Sequence, residues 1–98
     1  MLSKTYGKVK IKYSPDALDS IEDYKFNGKR RDKEKVTALI ESIKKNPRNG
    51  LGKPERLKYR YPEEHWSRRI NQKDRLLYQI ISDELVMITA IDGHYEDK

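Results

Sequence analysis

The chain has 98 residues, no cysteine, 22 Lys/Arg against 16 Asp/Glu, and a formal charge of +6. Its 35% hydrophobic and 39% charged residues predict one folded domain over residues 1–98 rather than a disordered chain, and the missing cysteines exclude disulfides, thiolate chemistry and cysteine-based zinc sites. No apolar run approaches the ~20 residues of a membrane helix, and Met1–Lys12 has no apolar h-region, so the expected address is the cytoplasm, with no membrane partner.

Val9, Ile11 and Tyr13 alternate with Lys8, Lys10 and Lys12, a period of two that predicts a strand. Ser14-Pro15-Asp16 then reads as a helix start, with Ser as N-cap, Pro at the first helical position and an acid in the first turn. Ala17, Leu18, Ile21 and Tyr24 follow at helical spacing, and Asn27-Gly28 ends that helix. A second helix is expected from about Arg30 to Lys45, carrying Val36, Leu39, Ile40 and Ile43 on one stripe. Asn46-Pro47 stops it.

Residues 46–55 form a loop rich in Gly and Pro. Beyond it the pattern is β throughout. Leu57, Tyr59 and Tyr61 alternate with Arg56, Lys58 and Arg60, and Pro62-Glu63-Glu64 reads as a turn. Trp66, Arg68 and Ile70 alternate with Ser67 and Arg69. A turn at about Asn71 to Asp74 leads into Arg75–Ile81, an apolar run expected at the sheet centre. Ser82-Asp83 is a two-residue hairpin candidate, and Leu85–Ile91 is the last strand. The order β-α-α-β-β-β-β predicts an α+β fold, with two N-terminal helices on one face of an antiparallel sheet. Leu39, Ile43, Leu77, Ile81 and Met87 are expected core, with Trp66; His65 is expected at the surface.

The charge surplus is local. Residues 44–75 hold eleven Lys/Arg against four Asp/Glu, and the rest of the chain holds eleven against twelve. A basic segment with interleaved aromatics (Tyr59, Tyr61, Trp66) points to nucleic acid. Two histidines without partners at metal-ligand spacing give no conventional metal site, and no cofactor is expected. RNA cleavage needs none, because the 2′-hydroxyl can attack its own phosphorus. The protein must then supply a base, an acid and a phosphate-binding cation. Glu55, His94 and Arg75 are the right types, although spacing alone does not bring them together. Each has a plain structural alternative: a solvated loop acid, a tail residue, a salt-bridge partner of Asp74.

Gly52-Lys53-Pro54-Glu55, Leu57-Lys58, Trp66-Ser67-Arg68-Arg69-Ile70, Asp74-Arg75-Leu76-Leu77-Tyr78 and His94-Tyr95 occur in that order. Over roughly residues 50 to 95 this set resembles the YoeB/Txe toxins of the RelE superfamily of type II toxin–antitoxin systems. The resemblance implies a microbial-ribonuclease-like, RelE-like fold and endoribonuclease activity on messenger RNA in the ribosomal A site. It implies Glu55 as general base, Arg75 on the scissile phosphate, His94 as general acid and Tyr95 as the residue orienting the substrate. Lys58 and Arg69, with Lys53 and Arg68 from the same motifs, are the implied RNA-supporting cations. Implied partners are messenger RNA, the ribosome, a YefM/Axe-like antitoxin, operator DNA only through the antitoxin complex, and a second copy of the chain. Glu96-Asp97-Lys98 after the His-Tyr pair and the N-terminal Met1–Lys8 depart from the family's usual length. Two readings without catalysis stay open: a basic RNA-binding module, and a protein acting only in an antitoxin complex.

Overall fold

The computed structural model describes residues 8–58 and 63–93. Tyr59, Tyr61, His94 and Tyr95 lie outside the described residues. The element order is β1 (Lys10–Tyr13), α1 (Pro15–Asn27), α2 (Arg30–Lys45), β2 (Glu55–Arg56), β3 (Glu64–Arg69), β4 (Arg75–Ser82) and β5 (Leu85–Asp92). Two helices pack on one five-stranded sheet, an α+β architecture.

Ser14 turns strand into helix. Its Oγ accepts the Ala17 N–H at 3.0 Å, the expected N-cap, and donates to the Thr89 carbonyl at 2.9 Å, tying the start of α1 to β5. Pro15 takes the first helical position and Gly28 ends the helix. Only Ala17 of α1 is fully buried. Leu18, which shares the apolar spacing, is exposed, as is Phe26. In α2 the stripe Val36, Leu39 and Ile43 is buried and Ile40 packs against it.

The sheet order is β1-β5-β4-β3-β2. β2 to β5 form an antiparallel meander, but β1 pairs with β5 in parallel. The sheet is therefore mixed rather than wholly antiparallel. The connection from β1 to its neighbour β5 runs through both helices and the three other strands, so the two are not tied by a hairpin and can pair in parallel. The last hairpin turns on Asp83 and Glu84, with Ser82 opposite Leu85, one residue later than Ser82-Asp83. Ile81 shares the alternation phase of Arg75, Leu77 and Gln79, away from the helices, so it is exposed rather than core. Met87 is only half-buried. No helix among the described residues is long and apolar enough to cross a membrane.

Leu76, Tyr78 and Ile80 on β4 join Val86 and Ile88 on β5, Ile70, and the buried helix residues in one core cluster. Burying each large aliphatic side chain contributes roughly 1.5–3 kcal/mol. The pleat sends Arg75, Leu77 and Gln79 to the opposite face. The helices occupy the first face and leave this second one.

Candidate functional site on the helix-free face

Residues paired across neighbouring strands point to the same side of a sheet. Glu55 pairs with Ser67, Ser67 with Leu77, and Leu77 with Ala90. Two residues along, Arg69 pairs with Arg75, and Arg75 with Asp92. Glu55, Arg69 and Arg75 thus share the helix-free face. Glu55 and Arg75 are offset by two strands, roughly 10 Å, and by two residues along a strand, roughly 7 Å. The next residues after Asp92 are Gly93 and then His94, so the chain leaves the sheet beside Arg75. A Cβ on Gly93 would lie 2.9 Å from Asp74 Oδ1, so a side chain there crowds the turn that precedes Arg75.

The turn before Arg75 is built by Asn71. Its Oδ1 accepts the Lys73 and Asp74 N–H groups at 2.9 and 2.8 Å, an Asx-type closure. Its backbone carbonyl accepts from Arg75 Nη1 at 3.4 Å. Lys53 and Lys58, on either side of β2, are exposed, as is Glu55. Lys53 adopts a left-handed φ of 52° immediately before Pro54. That conformation costs a non-glycine residue roughly 1–2 kcal/mol, and such strain gathers at functional sites.

Arg68 does not lie on this face. The sequence places it among the RNA-supporting cations, but it is fully buried on the helix side. Its Nε donates to Tyr78 Oη at 3.0 Å. Nη1 donates to Ser42 Oγ at 2.8 Å and the Leu51 carbonyl at 3.0 Å. Nη2 donates to the carbonyls of Asn46 at 2.7 Å and Asn49 at 2.9 Å. All five N–H groups are therefore used inside the protein. Burying a cation costs several kcal/mol unless its donors are satisfied, and here oxygen dipoles satisfy them. Arg68 shares the alternation phase of Trp66 and Ile70, which is the signal of burial its charge obscured. Tyr78 and Ser42, which complete the network, were missed as supporting residues. A lone hydroxyl in an apolar strand was the available sign, since buried tyrosines find partners. Burial pushes the Tyr78 hydroxyl above the ordinary tyrosine range, opposed by Arg68.

The same loop is fastened from outside. Arg48 Nε and Nη2 donate to Glu64 Oε2 and Oε1 at 2.8 and 3.0 Å, and Trp66 Nε1 donates to Oε2 at 2.9 Å. The Arg48 bond holds the Glu64 carboxyl below its ordinary pKa, burial opposing and Trp66 adding. Trp66 packs against the core, as expected. His65 is half-buried.

On the helix side, Tyr24 Oη donates to Asp74 Oδ2 at 2.6 Å, and Asn71 Nδ2 donates to Asp32 and Asp74 at 3.1 and 3.3 Å. These residues line a cavity of about 670 Å³ that contains none of the expected site residues. Among the described residues no three His, Asp or Glu side chains converge as a metal-ligand set.

The family described as the YoeB-like toxin of bacterial type II toxin–antitoxin systems matches residues 13–95. Toxin YoeB of Mycobacterium bovis is 37% identical over 82 residues, 82% of this chain and 92% of that protein. Toxin YoeB of Escherichia coli strain K12 is 36% identical over 87 residues, 89% of this chain and all of that protein. The YoeB dimer from Staphylococcus aureus superposes with a TM-score of 0.77 at 32% identity, covering 90% of this chain and 99% of that one. A chain of the heterotetrameric YoeB–YefM complex from the same organism gives 0.73 at 32% identity, with the same coverage. The archaeal RelE–RelB complex from Pyrococcus horikoshii gives 0.68 at 10% identity and shares the fold.

Proposed function

The chain belongs to the YoeB-like toxins of bacterial type II toxin–antitoxin systems, and from that premise we propose that it is a ribosome-dependent endoribonuclease. It cuts messenger RNA in the A site by metal-free acid–base chemistry. Glu55 accepts the proton of the 2′-hydroxyl. The 2′-oxygen attacks the neighbouring phosphorus, the bond to the 5′-oxygen breaks, and a 2′,3′-cyclic phosphate forms. His94 gives its proton to the departing 5′-oxygen, and Tyr95 orients the substrate. Arg75 carries the charge that builds on the phosphate, since a guanidinium fork holds two oxygens. Each acid or base supplies on the order of 10²–10⁴ in rate. Lys53, Lys58 and Arg69 hold the RNA backbone. Arg68 has no part in RNA contact.

The observation that carries this reading is the strand register. It sets a carboxylate and a guanidinium, Glu55 and Arg75, on one face without helices. The antitoxin partner is inferred from the YefM bound to the Staphylococcus aureus YoeB, and self-association from its dimer. Operator DNA is reached through the antitoxin complex.

Primer extension on a defined messenger RNA in a purified translation system tests the activity. Wild type runs beside His94→Gln, with and without ribosomes. The expected cuts fall within A-site codons, need ribosomes and vanish in the variant. Equal cutting of free RNA contradicts ribosome dependence. A wild-type rate in His94→Gln removes that residue from the mechanism, and no cuts from folded wild type leaves a non-catalytic RNA-binding module.

A further inference from the structure

We propose that Arg68 is a positioning residue, a buried guanidinium that holds the 46–52 loop in the shape that delivers Glu55 to the helix-free face. The proposal rests on Glu55 being the general base.

Three of the five acceptors around Arg68 are carbonyls of this one loop, those of Asn46, Asn49 and Leu51. A fourth loop carbonyl is caught through Tyr78, whose hydroxyl accepts from Arg68 and donates to the Pro47 carbonyl at 2.6 Å. Ser42 Oγ fastens the loop to the last turn of α2. It accepts from the Leu51 N–H at 3.1 Å and from Arg68. At the far end the Gly52 carbonyl accepts the Arg69 N–H at 2.7 Å. Only Lys53 and Pro54 separate Gly52 from Glu55.

The loop closes tightly around the cation. Gly50 and Gly52 take φ values of 122° and 86°. A Cβ on Gly52 would lie 3.2 Å from Arg68 Cβ, and one on Gly50 would lie 3.3 Å from Arg68 Nη1. No loop residue from Asn46 to Gly52 is buried, so apolar packing supplies little to fix its path. The path is set by captured carbonyls, whose directional bonds define position as well as energy. Loss of the network therefore displaces Glu55 before it unfolds the sheet.

Tyr78→Phe is the sharpest probe, because it keeps the ring in the core and removes the hydroxyl that serves Arg68 and Pro47. Ser42→Ala is the second, at a half-buried position on α2 where Arg68 Nη1 keeps its bond to the Leu51 carbonyl. Both are measured by single-turnover cleavage on ribosomes carrying a defined messenger RNA, in the wild-type and Glu55→Gln backgrounds. Misplacement of a reacting group by about 1 Å costs about 10²-fold. Tyr78→Phe is expected to lower the cleavage rate constant roughly 10–100-fold, Ser42→Ala less, with ribosome affinity unchanged. Neither is expected to lower the residual rate of Glu55→Gln further, since groups acting through one another are not additive. Full activity in both single variants, or equal losses in both backgrounds, overturns the proposal. Glu55→Gln cleaving at the wild-type rate instead removes Glu55 as base, and with it the role assigned to Arg68.

Discussion

Arg69 stands directly opposite Arg75 across the β3–β4 pair, and Asp92 flanks Arg75 from β5. Two cations facing each other on a sheet destabilise it by an amount comparable to a favourable pair, roughly 0.2–1 kcal/mol. A surface selected for stability alone does not need this arrangement. In the proposed function a bound phosphate turns this repulsion into binding. Arg69→Thr is therefore expected to stabilise the free protein by up to ~1 kcal/mol in urea unfolding at low salt. The gain shrinks as salt screens the pair, and RNA cleavage falls. A destabilised Arg69→Thr protein with full cleavage contradicts this view of the face.

The Arg48–Glu64 bond makes loop docking acid-sensitive. The Glu64 carboxyl titrates below its ordinary range in the folded protein because Arg48 holds it ionised. Its contribution is thus present above the unfolded carboxylate pKa of ~4.3 and is lost as pH falls through the lower folded value. Arg48 is about half exposed, at 47%, so solvent limits the effect to ~1 kcal/mol or less. Wild type is expected to exceed Glu64→Gln in stability at pH 7, and the gap should close below pH ~4. A gap that widens on acidification excludes this assignment.

The Tyr24–Asp74 bond behaves in the opposite sense. Burial, and then the bonded Asp74 carboxylate, hold the Tyr24 hydroxyl protonated well above the ordinary range. A raised folded pKa gives stability that is complete below the unfolded value of ~10 and is lost as pH rises beyond it. Tyr24→Phe should cost ~1–2 kcal/mol at pH 8. The difference from wild type should narrow by pH ~11. Chemical unfolding at the two pH values checks both the cost and its sign.

Much of this architecture was legible because local chemistry and tertiary packing agree. The second helix runs from Arg30 to Lys45 as its stripe and the Asn46-Pro47 stop require, and Ser14 caps the first helix as its neighbours suggest. Failures came where partners decide the outcome. A period of two identifies β1 as a strand but cannot name its neighbour, so the parallel pairing with β5 was not visible. Ile81 looks like core within an apolar run, but the pleat sets it on the helix-free face, where it is exposed. Arg68 looks like an RNA contact because charge normally stays outside, whereas five oxygens supplied by a distant serine, a tyrosine and a loop make its burial possible. Glu55 and Arg75 were readable as residue types, and only the register brought them to one face.

In the proposed mechanism Glu55 and Arg75 work on an RNA whose own 2′-hydroxyl is the nucleophile. The most direct test is cleavage of a ribosome-bound messenger RNA carrying a single 2′-deoxynucleotide at the mapped cut. Wild-type protein should leave that bond intact, and should cut the all-ribose control to give a 2′,3′-cyclic or 3′-phosphate and a 5′-hydroxyl. Cleavage of the deoxy-substituted bond, or a 5′-phosphate on the product, would contradict the account.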